Sequence, residues 1–330
     1  MANIKDVAKL ANTSISTVSR VINDTSYVKE ETKKRVIKAM KELNYKPLLR
    51  EPIKKENKTI GLIVPDITNP FFSKIAKEIA SVANHYDYNI TLCNIDGIPE
   101  SEDDYLMDLI ENRVDGVIYA SSYRSVEVLK RVKEKNIPIV VLDRNMENYA
   151  ISSVAVNNNQ GAFLATEHLI KLGHEKIAFI EGFKDFQISK HRKKGFKRAL
   201  SDYNLNLDED LIKRGDFTME SGFKAMKEII NSKKDFTAVI AINDLMAIGA
   251  SNCLNQLGIK TPEDVSVVGF DNILLASTIT PKLTTVAYPI EKMSERAIKL
   301  LMKQISNKDI SPEMVTLFPK LIVRESTKKI

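Results

Sequence analysis

Residues 4–24 read IKDVAKLANTSISTVSRVIND, and this stretch determines the fold of the N-terminal part of the chain. Its apolar residues recur at the spacing of a helix face, first at Ile4, Val7, Ala8 and Ala11 and then at Val18, Val21 and Ile22. Asn3, with Asp6 three residues later, suits the N-cap of the first helix, and Ser14 suits that of the second. The sequence therefore predicts two short helices separated by a tight turn.

A third helix is predicted from Glu30 to Leu43, because acidic residues occupy its first turn and apolar residues line one face. Asn44 and Pro47 end this helix. Two short helices joined by a tight turn and braced by a third form the helix-turn-helix arrangement, in which the second helix enters the major groove of DNA. We therefore expect an all-α helix-turn-helix domain at the N-terminus.

The start of the second helix carries side chains that suit contacts with DNA. An arginine pairs with guanine, hydroxyl groups bond bases or phosphates, and an isoleucine packs on the thymine methyl group. The candidate DNA-binding residues are Ser14, Ile15, Ser16, Thr17, Ser19, Arg20 and Asn23. A three-helix interaction domain that binds no DNA would explain the helices, but not these short polar side chains.

The net charge of the chain is concentrated in the same segment. The 330 residues contain 49 Lys and Arg against 43 Asp and Glu, a net charge of +6. Residues 1–58 hold 14 of the basic and 7 of the acidic residues, so this segment carries +7 and the remainder carries −1. A basic block beside a nearly neutral body indicates a polyanionic partner such as double-stranded DNA.

The composition argues against a membrane protein, a secreted protein and a metalloprotein. No apolar stretch reaches the roughly 18–20 residues of a membrane span, and the N-terminus lacks a signal peptide's apolar core, so we expect a cytoplasmic protein with no membrane partner. Cys93 and Cys253 lie far apart in apolar runs, which predicts buried free thiols. The histidines lack metal-ligand spacing, and nucleotide-binding and hydrolase motifs are absent, so we expect no metal, no cofactor and no enzyme activity.

From residue 59 onward, short β-branched runs alternate with amphipathic helical stretches such as Phe72–Tyr86 and Asn159–Leu172. The predicted strands are 60–64, 90–94, 116–120, 137–143, 153–156, 176–182, 238–243 and 265–271. Apolar strands that alternate with helices form parallel sheets covered on both faces. Eight strands over this length suit an α/β core of two doubly wound parallel-sheet subdomains better than a single sheet.

Ligands of such sheets bind at the carboxyl ends of the strands. The residues near those ends include Asp66, Asn69 to Phe72, Asp143-Arg144, Asn243-Asp244 and Asp271-Asn272, with Asp216-Phe217 and a turn at His191-Arg192 in the loops between. Planar polar groups that bridge hydroxyls, together with aromatic faces, are the chemistry that a sugar requires. The alternative is that the Asp and Asn residues only cap helices or close turns.

Two parts of the chain resemble a known family. The run from Ile4 to Pro47 resembles the DNA-binding domain of the LacI-type transcriptional repressors. The runs TIGLIVPDITNPFF (59–72), IPIVVLDRN (137–145), DVSVVGFDN (264–272) and LTTVAYP (283–289) resemble the periplasmic-binding-protein-like core of that family. The resemblance implies that Ile15, Ser16 and Arg20 read bases. In ribose-binding relatives the sugar contacts fall at Asn69, Phe71, Phe72, Asp143, Arg144, Arg192, Phe217, Asn243 and Asp271, with Phe186 and Ile188 at specificity positions.

The resemblance also implies a domain organisation. It places a helix-turn-helix domain at 1–47, a hinge or linker at 48–58, an N-terminal sensor subdomain at 59–157 and 290–318, and a C-terminal sensor subdomain at 158–289 and 319–330. The chain is expected to cross between the subdomains near Val156–Asn158, Tyr288–Ile290 and Phe318–Lys320. The linker departs from the family pattern, because Pro52 would interrupt the usual hinge helix.

The expected function is that of a cytoplasmic repressor that binds a palindromic operator as a homodimer. Its effector is expected to be a sugar or a sugar acid, the acid because Arg144 and Arg192 would together tolerate a carboxylate or a phosphate. Two alternatives remain open: a corepressor-dependent regulator of the catabolite-control type, and a sugar-modifying enzyme.

Overall fold

The computed structural model describes residues 3–23, 28–45, 58–95, 101–111, 114–120, 126–307 and 309–330. The chain divides into two compact units, Met1–Asn57 and Lys58–Ile330. The expected linker, apart from its last residue, lies outside the described residues, and so does the side chain of Asn23.

The first unit contains the three predicted helices, α1 (Ile4–Leu10), α2 (Ile15–Asn23) and α3 (Glu30–Glu42). One fully buried valine from each helix, Val7, Val18 and Val36, contributes to a shared core. The side chain of Asn3 forms a reciprocal capping box with Asp6. The hydroxyl of Ser14 accepts a hydrogen bond from the Thr17 amide at 3.1 Å, which caps α2. The helix-turn-helix prediction is therefore confirmed.

The second unit alternates strands and helices along most of its length. In chain order they are β1 (Thr59–Val64), α4 (Pro70–Asn84), β2 (Asn89–Asn94), α5 (Ser101–Glu111), β3 (Gly116–Tyr119), α6 (Val126–Glu134), β4 (Ile139–Leu142), β5 (Ser152–Val156), α7 (Asn158–Lys171), β6 (Ile177–Glu181), α8 (Gln187–Asp202), β7 (Ile212–Arg214), α9 (Met219–Asn231), β8 (Ala238–Ala241), α10 (Asp244–Gln256), β9 (Ser266–Asp271), α11 (Leu274–Thr278), β10 (Thr284–Ala287), α12 (Ile290–Ser306), β11 (Met314–Leu317) and β12 (Lys320–Ile322).

The strands form two sheets. The first sheet has the order β11-β5-β4-β3-β1-β2, and the second has the order β12-β10-β9-β8-β6-β7. All neighbouring strands of the described residues run parallel except β10 and β12, which pair antiparallel at one edge of the second sheet. The chain passes between the sheets after β5, after β10 and between β11 and β12. Two doubly wound sheets are therefore confirmed.

All eight predicted strands are present, but β7, β10, β11 and β12 were not predicted. Three of these lie at sheet edges, and each is only three or four residues long. The fourth, β10, is central, yet it contains the polar pair Thr284 and Thr285. These side chains are fully buried because they have hydrogen-bond partners: Thr285 donates to Asp244 at 2.5 Å.

Both cysteines are buried and free, as predicted, and burial raises the pKa of each thiol above its ordinary value. No helix among the described residues is long and apolar enough to cross a membrane.

Helices α9 and α10 pack so closely that glycine is required at their contact. A Cβ atom on Gly249 would lie 1.9 Å from the carbonyl oxygen of Met219, and one on Gly222 would lie 2.3 Å from that of Met246. Backbone atoms on both sides cannot yield as a flexible side chain does, so the two helices depend on this pair of glycines.

The substitution Gly249→Ala is expected to push α9 and α10 apart and to lower the free energy of unfolding by about 1–3 kcal/mol. Urea denaturation of the full chain measures the change. Asn255→Ala, at an exposed position of the same helix, is the matched control and is expected to stay within about 0.5 kcal/mol of the wild type. Equal stability of the two variants would contradict the close-packing explanation.

Candidate ligand cavity and DNA-binding helix

A cavity of about 430 Å³ lies where the carboxyl ends of strands from both sheets meet. Its volume is within the range of small-molecule sites, about 300–1,000 Å³. Eight of the nine predicted ligand-binding residues line it: Asn69, Phe71, Phe72, Asp143, Arg192, Phe217, Asn243 and Asp271. Phe186 and Ile188, expected at specificity positions, also line it.

Arg144 is the exception, because it is not among the residues that line the cavity. The preceding residue, Asp143, directly follows β4 and has a φ of 58°, in the left-handed region. The chain therefore turns sharply after Asp143, and the next side chain is not carried to the same place. The expectation that Arg144 and Arg192 together face the ligand is not met.

Arg192 was expected in a turn, but it lies in the second turn of helix α8 and is only 3% exposed. Its Nε donates to Asn158 Oδ1 at 2.8 Å, and its Nη1 donates to the carbonyl oxygen of Ile242. Its Nη2 lies 3.3 Å from Asp271 Oδ1 and 2.9 Å from the hydroxyl of Tyr288. All three nitrogen atoms of the guanidinium therefore have hydrogen-bond partners within the protein.

Two residues that sequence reasoning did not select, Tyr288 and Asn158, connect Arg192 to Asp143. The Tyr288 hydroxyl lies 2.7 Å from Asp143 Oδ2, and Asn158 Nδ2 donates to Asp143 Oδ1 at 3.0 Å. Asp143 follows a strand of the first sheet, whereas Arg192 and Asp271 belong to elements of the second. The sequence could have indicated both residues by their position, because each lies at a predicted crossing of the chain between the subdomains.

Burial dominates the electrostatics of this network. It raises the pKa of Asp143, although Arg192 and the hydroxyl of Tyr288 oppose the rise. It raises the pKa of Asp271 to about 7, opposed by Arg192 and reinforced by the charge of Asp143. Burial also raises the pKa of Asp244 well above its ordinary value, and Asp271 adds to this effect. Burial, reinforced at Asp244 and Asp271 by a nearby carboxylate, therefore favours the protonated forms of these side chains.

Two residues of the cavity lining, Asn69 and Asn243, also cap helices, as the alternative expected. Asn69 Oδ1 accepts from the Phe71 amide at 3.0 Å, and Asn243 Oδ1 accepts from the Met246 amide at 2.9 Å. The amide group of Asn243 also donates to the carbonyl oxygen of Phe217 at 2.9 Å. Capping therefore fixes these side chains at the cavity wall.

In the first unit, α2 presents the predicted DNA-binding side chains. Ser14, Ile15, Ser16 and Arg20 are exposed, and Thr17 and Ser19 are half-buried. The Ser14 hydroxyl lies 2.8 Å from those of Ser16 and Thr17, so these polar groups form one cluster. An isoleucine that is 44% exposed at the start of a helix suits an apolar contact with a partner.

No group of three or more His, Cys, Asp and Glu side chains that could hold a metal occurs in the described part of the chain.

The raised pKa of Asp271 predicts a dependence of stability on pH. A carboxyl whose pKa is higher in the folded chain takes up protons on folding, so its contribution to stability is largest below about pH 4 and falls as the pH rises to about 7. Asp271→Asn has no carboxyl that titrates at this position, so the variant does not lose stability in this way as the pH rises. Between about pH 5 and 7, the variant's free energy of unfolding is expected to rise relative to the wild type by up to about 1.4 kcal/mol per pH unit.

Urea denaturation at several pH values measures this difference. Asp235→Asn, whose parent side chain is 86% exposed, is the control and is expected to follow the wild type. A constant difference between Asp271→Asn and the wild type would show that Asp271 does not titrate in this range.

Comparison with known proteins relates both units to one family. Residues 3–47 match the family described as bacterial regulatory proteins, lacI family. Residues 57–322 match the family described as periplasmic binding proteins and sugar binding domain of LacI family. The HTH-type transcriptional repressor PurR of Vibrio vulnificus (strain CMCP6) is 38% identical over 333 residues, covering 100% of both chains.

Two solved structures extend the similarity over nearly the whole chain. The CelR–cellobiose complex is 32% identical, with a TM-score of 0.75 that covers 99% of this chain and 100% of that one. The lac repressor dimer bound to operator and the anti-inducer ONPF is 27% identical, with a TM-score of 0.75 over 99% of each chain. These relatives are transcriptional regulators rather than enzymes. With its helix-turn-helix unit and its two-sheet cavity, the chain belongs to the LacI family of bacterial transcriptional regulators.

Proposed function

We propose that this chain acts in the cytoplasm as a repressor that binds a palindromic operator as a homodimer, and that a sugar in the 430 Å³ cavity controls its operator affinity. The observation that carries the proposal is the cavity itself. Aromatic and hydrogen-bonding side chains from both sheets line it, in a chain that also carries a helix-turn-helix unit.

The DNA-binding part rests on the exposed surface of α2. Ile15, Ser16 and Arg20 are exposed at its start and one turn later, where a recognition helix contacts bases. A single helix of this length reads only a half-site, and a two-fold dimer reads two half-sites. The lac repressor, a structural neighbour, binds its operator as a dimer.

The domain boundaries are part of the proposal. We assign a DNA-binding domain to 1–47, a linker to 48–58, one subdomain to 59–157 and 290–318, and the other to 158–289 and 319–330. The strand membership of the two sheets supports this division, since β1 to β5 and β11 form one sheet and β6 to β10 and β12 form the other.

The chemistry of the cavity favours a sugar. Phe72, Phe186 and Phe217 supply aromatic faces for the apolar side of a sugar ring. Asp271 and Asn243 supply planar groups that bond neighbouring hydroxyls. The CelR neighbour holds the sugar cellobiose. A purine is the competing ligand class, because a planar base would also stack on these aromatic rings.

Control of DNA binding follows from the position of the cavity. A ligand that contacts both sheets stabilises the arrangement of the subdomains in which both contacts are made. The liganded and unliganded arrangements can differ in their affinity for the operator. The ligand then shifts operator affinity by at most the ratio of its binding constants for the two arrangements. The same mechanism weakens or strengthens repression according to which state binds DNA.

The function is tested in two steps with the full chain. An operator is first selected from random double-stranded DNA, and sugars and purines are then screened by thermal shift. A palindromic selected site and stabilisation by a sugar support the proposal. Stabilisation by a purine alone would overturn the sugar assignment, and conversion of a stabilising sugar to a product would favour the enzyme alternative.

Arg20→Ala is expected to cost about 1–3 kcal/mol of binding free energy at one base pair of each half-site, because it removes a side chain placed to read a base. Fluorescence anisotropy with the selected operator and with single base-pair variants measures the effect. Lys38→Ala on α3, outside the recognition helix, is the control. Uniform weakening on every sequence would identify Arg20 as a phosphate contact.

Asp143→Asn is expected to weaken sugar binding more than tenfold, because a hydrogen bond to a charged group contributes about 1.5–3 kcal/mol. Isothermal titration with the sugar found by the screen measures the loss, and Asp202→Asn on the exposed end of α8 is the control. Operator affinity without sugar is expected to remain unchanged; its loss in Asp143→Asn would mark this residue as structural.

A further inference from the structure

We propose that the cavity binds uncharged sugars and rejects their acidic and phosphorylated counterparts, an inference that rests on the sugar-binding function proposed above. It replaces the expectation of a sugar acid, which depended on two arginines facing the ligand together.

The charge of the cavity lining is the first observation. Four carboxylates line it: Asp66, Asp143, Asp216 and Asp271. Among the described lining residues Arg192 is the one cationic side chain. An anionic ligand would therefore enter a lining in which acidic side chains outnumber cationic ones by four to one.

Arg192 is also largely occupied by the protein. Its contacts to Asn158, Ile242, Asp271 and Tyr288 use four of the five N–H groups of the guanidinium. To bind a ligand anion in the bidentate manner that an arginine offers, it would have to release at least one of these buried partners. Release would leave a buried carboxylate, hydroxyl or carbonyl without its donor.

Two of the carboxylates follow strands of different sheets and lie in turns of the same type. Asp66 follows β1 of the first sheet and precedes α4, and Asp216 follows β7 of the second sheet and precedes α9. Each belongs to an Asp-X-Thr turn. Asp66 Oδ1 accepts from the amide and hydroxyl of Thr68 at 2.8 and 2.6 Å, and Asp216 Oδ1 accepts from those of Thr218 at 3.0 and 2.6 Å.

These turns hold the two carboxylates in place as acceptors. Burial raises the pKa of Asp216, but the hydrogen bonds from Thr218 and Ser221 outweigh it and lower the pKa below its ordinary value. A carboxylate has about four lone-pair sites, so the amide and hydroxyl of one threonine, joined at Asp216 by Ser221, leave at least one site for a ligand. The hydroxyl groups of a sugar donate to such acceptors, whereas a ligand carboxylate or phosphate dianion brings further acceptors and negative charge.

The test uses matched probes with the full chain at pH 7.5 and equal ionic strength. The pairs are D-glucose with D-glucuronate, D-galactose with D-galacturonate, and D-ribose with D-ribose 5-phosphate, and isothermal titration gives the Kd of each. In any pair that binds, the uncharged sugar is expected to bind at least tenfold more tightly. An anionic member that binds as tightly as its partner, or more tightly, would overturn the inference and leave the sugar-binding function intact.

If none of the six probes binds, both the preference for uncharged sugars and the assignment of the cavity to these sugars are overturned. This result differs from tight binding of an anionic probe, which overturns the preference alone. The variant Asp216→Asn keeps an oxygen for the Thr218 hydrogen bonds but removes the charge. It is expected to reduce the preference for the uncharged sugar at least threefold. Asp235→Asn, at the surface, is the matched control, and an equal preference in all three proteins would contradict the role of the cavity carboxylates.

Discussion

The buried guanidinium of Arg192 is the constraint on which the rest of the second unit depends. A charge removed from water is tolerated only when opposite charges and hydrogen-bond partners surround it. Here the partners come from separate parts of the chain: Asp271 at the end of β9, Asn158 at the start of α7 and Tyr288 after β10. Through Tyr288 and Asn158 the network reaches Asp143, which follows β4 of the other sheet. The polar centre of the molecule therefore joins its two sheets.

This placement explains how a small ligand in the cavity could change the arrangement of the two sheets. Asn158 and Tyr288, which complete the network, lie where the chain crosses between the sheets. A change at Asp143 or Arg192 therefore alters contacts at the connections between the subdomains. Three residues at the cavity, Asp143, Phe217 and Asp271, adopt positive φ. Strain of this kind persists only where the surrounding structure holds it, and it is frequent at ligand sites.

The sequence was sufficient for much of the fold, because periodicity and capping are local properties. It identified the three N-terminal helices, eight strands and most of the cavity lining. It did not reveal β10, whose threonine hydroxyls are buried only because distant parts of the chain satisfy them: Thr285 donates to Asp244, and Thr284 accepts from the amide of Arg324. It also missed Tyr288 and Asn158, and it expected Arg144 at the cavity, whose lining does not include this residue. Such errors arise because the partner of a polar side chain depends on tertiary contacts rather than on its neighbours in sequence.

The central claim is that occupancy of the cavity and affinity for the operator are coupled. The most direct test is the operator Kd of the full-length chain, measured by fluorescence anisotropy without sugar and with a saturating sugar that has been shown to bind. We expect the Kd to change by about 5–150-fold, the usual range of allosteric coupling, with an increase indicating induction and a decrease indicating corepression. An operator Kd that stays the same when the cavity is filled would contradict the claim.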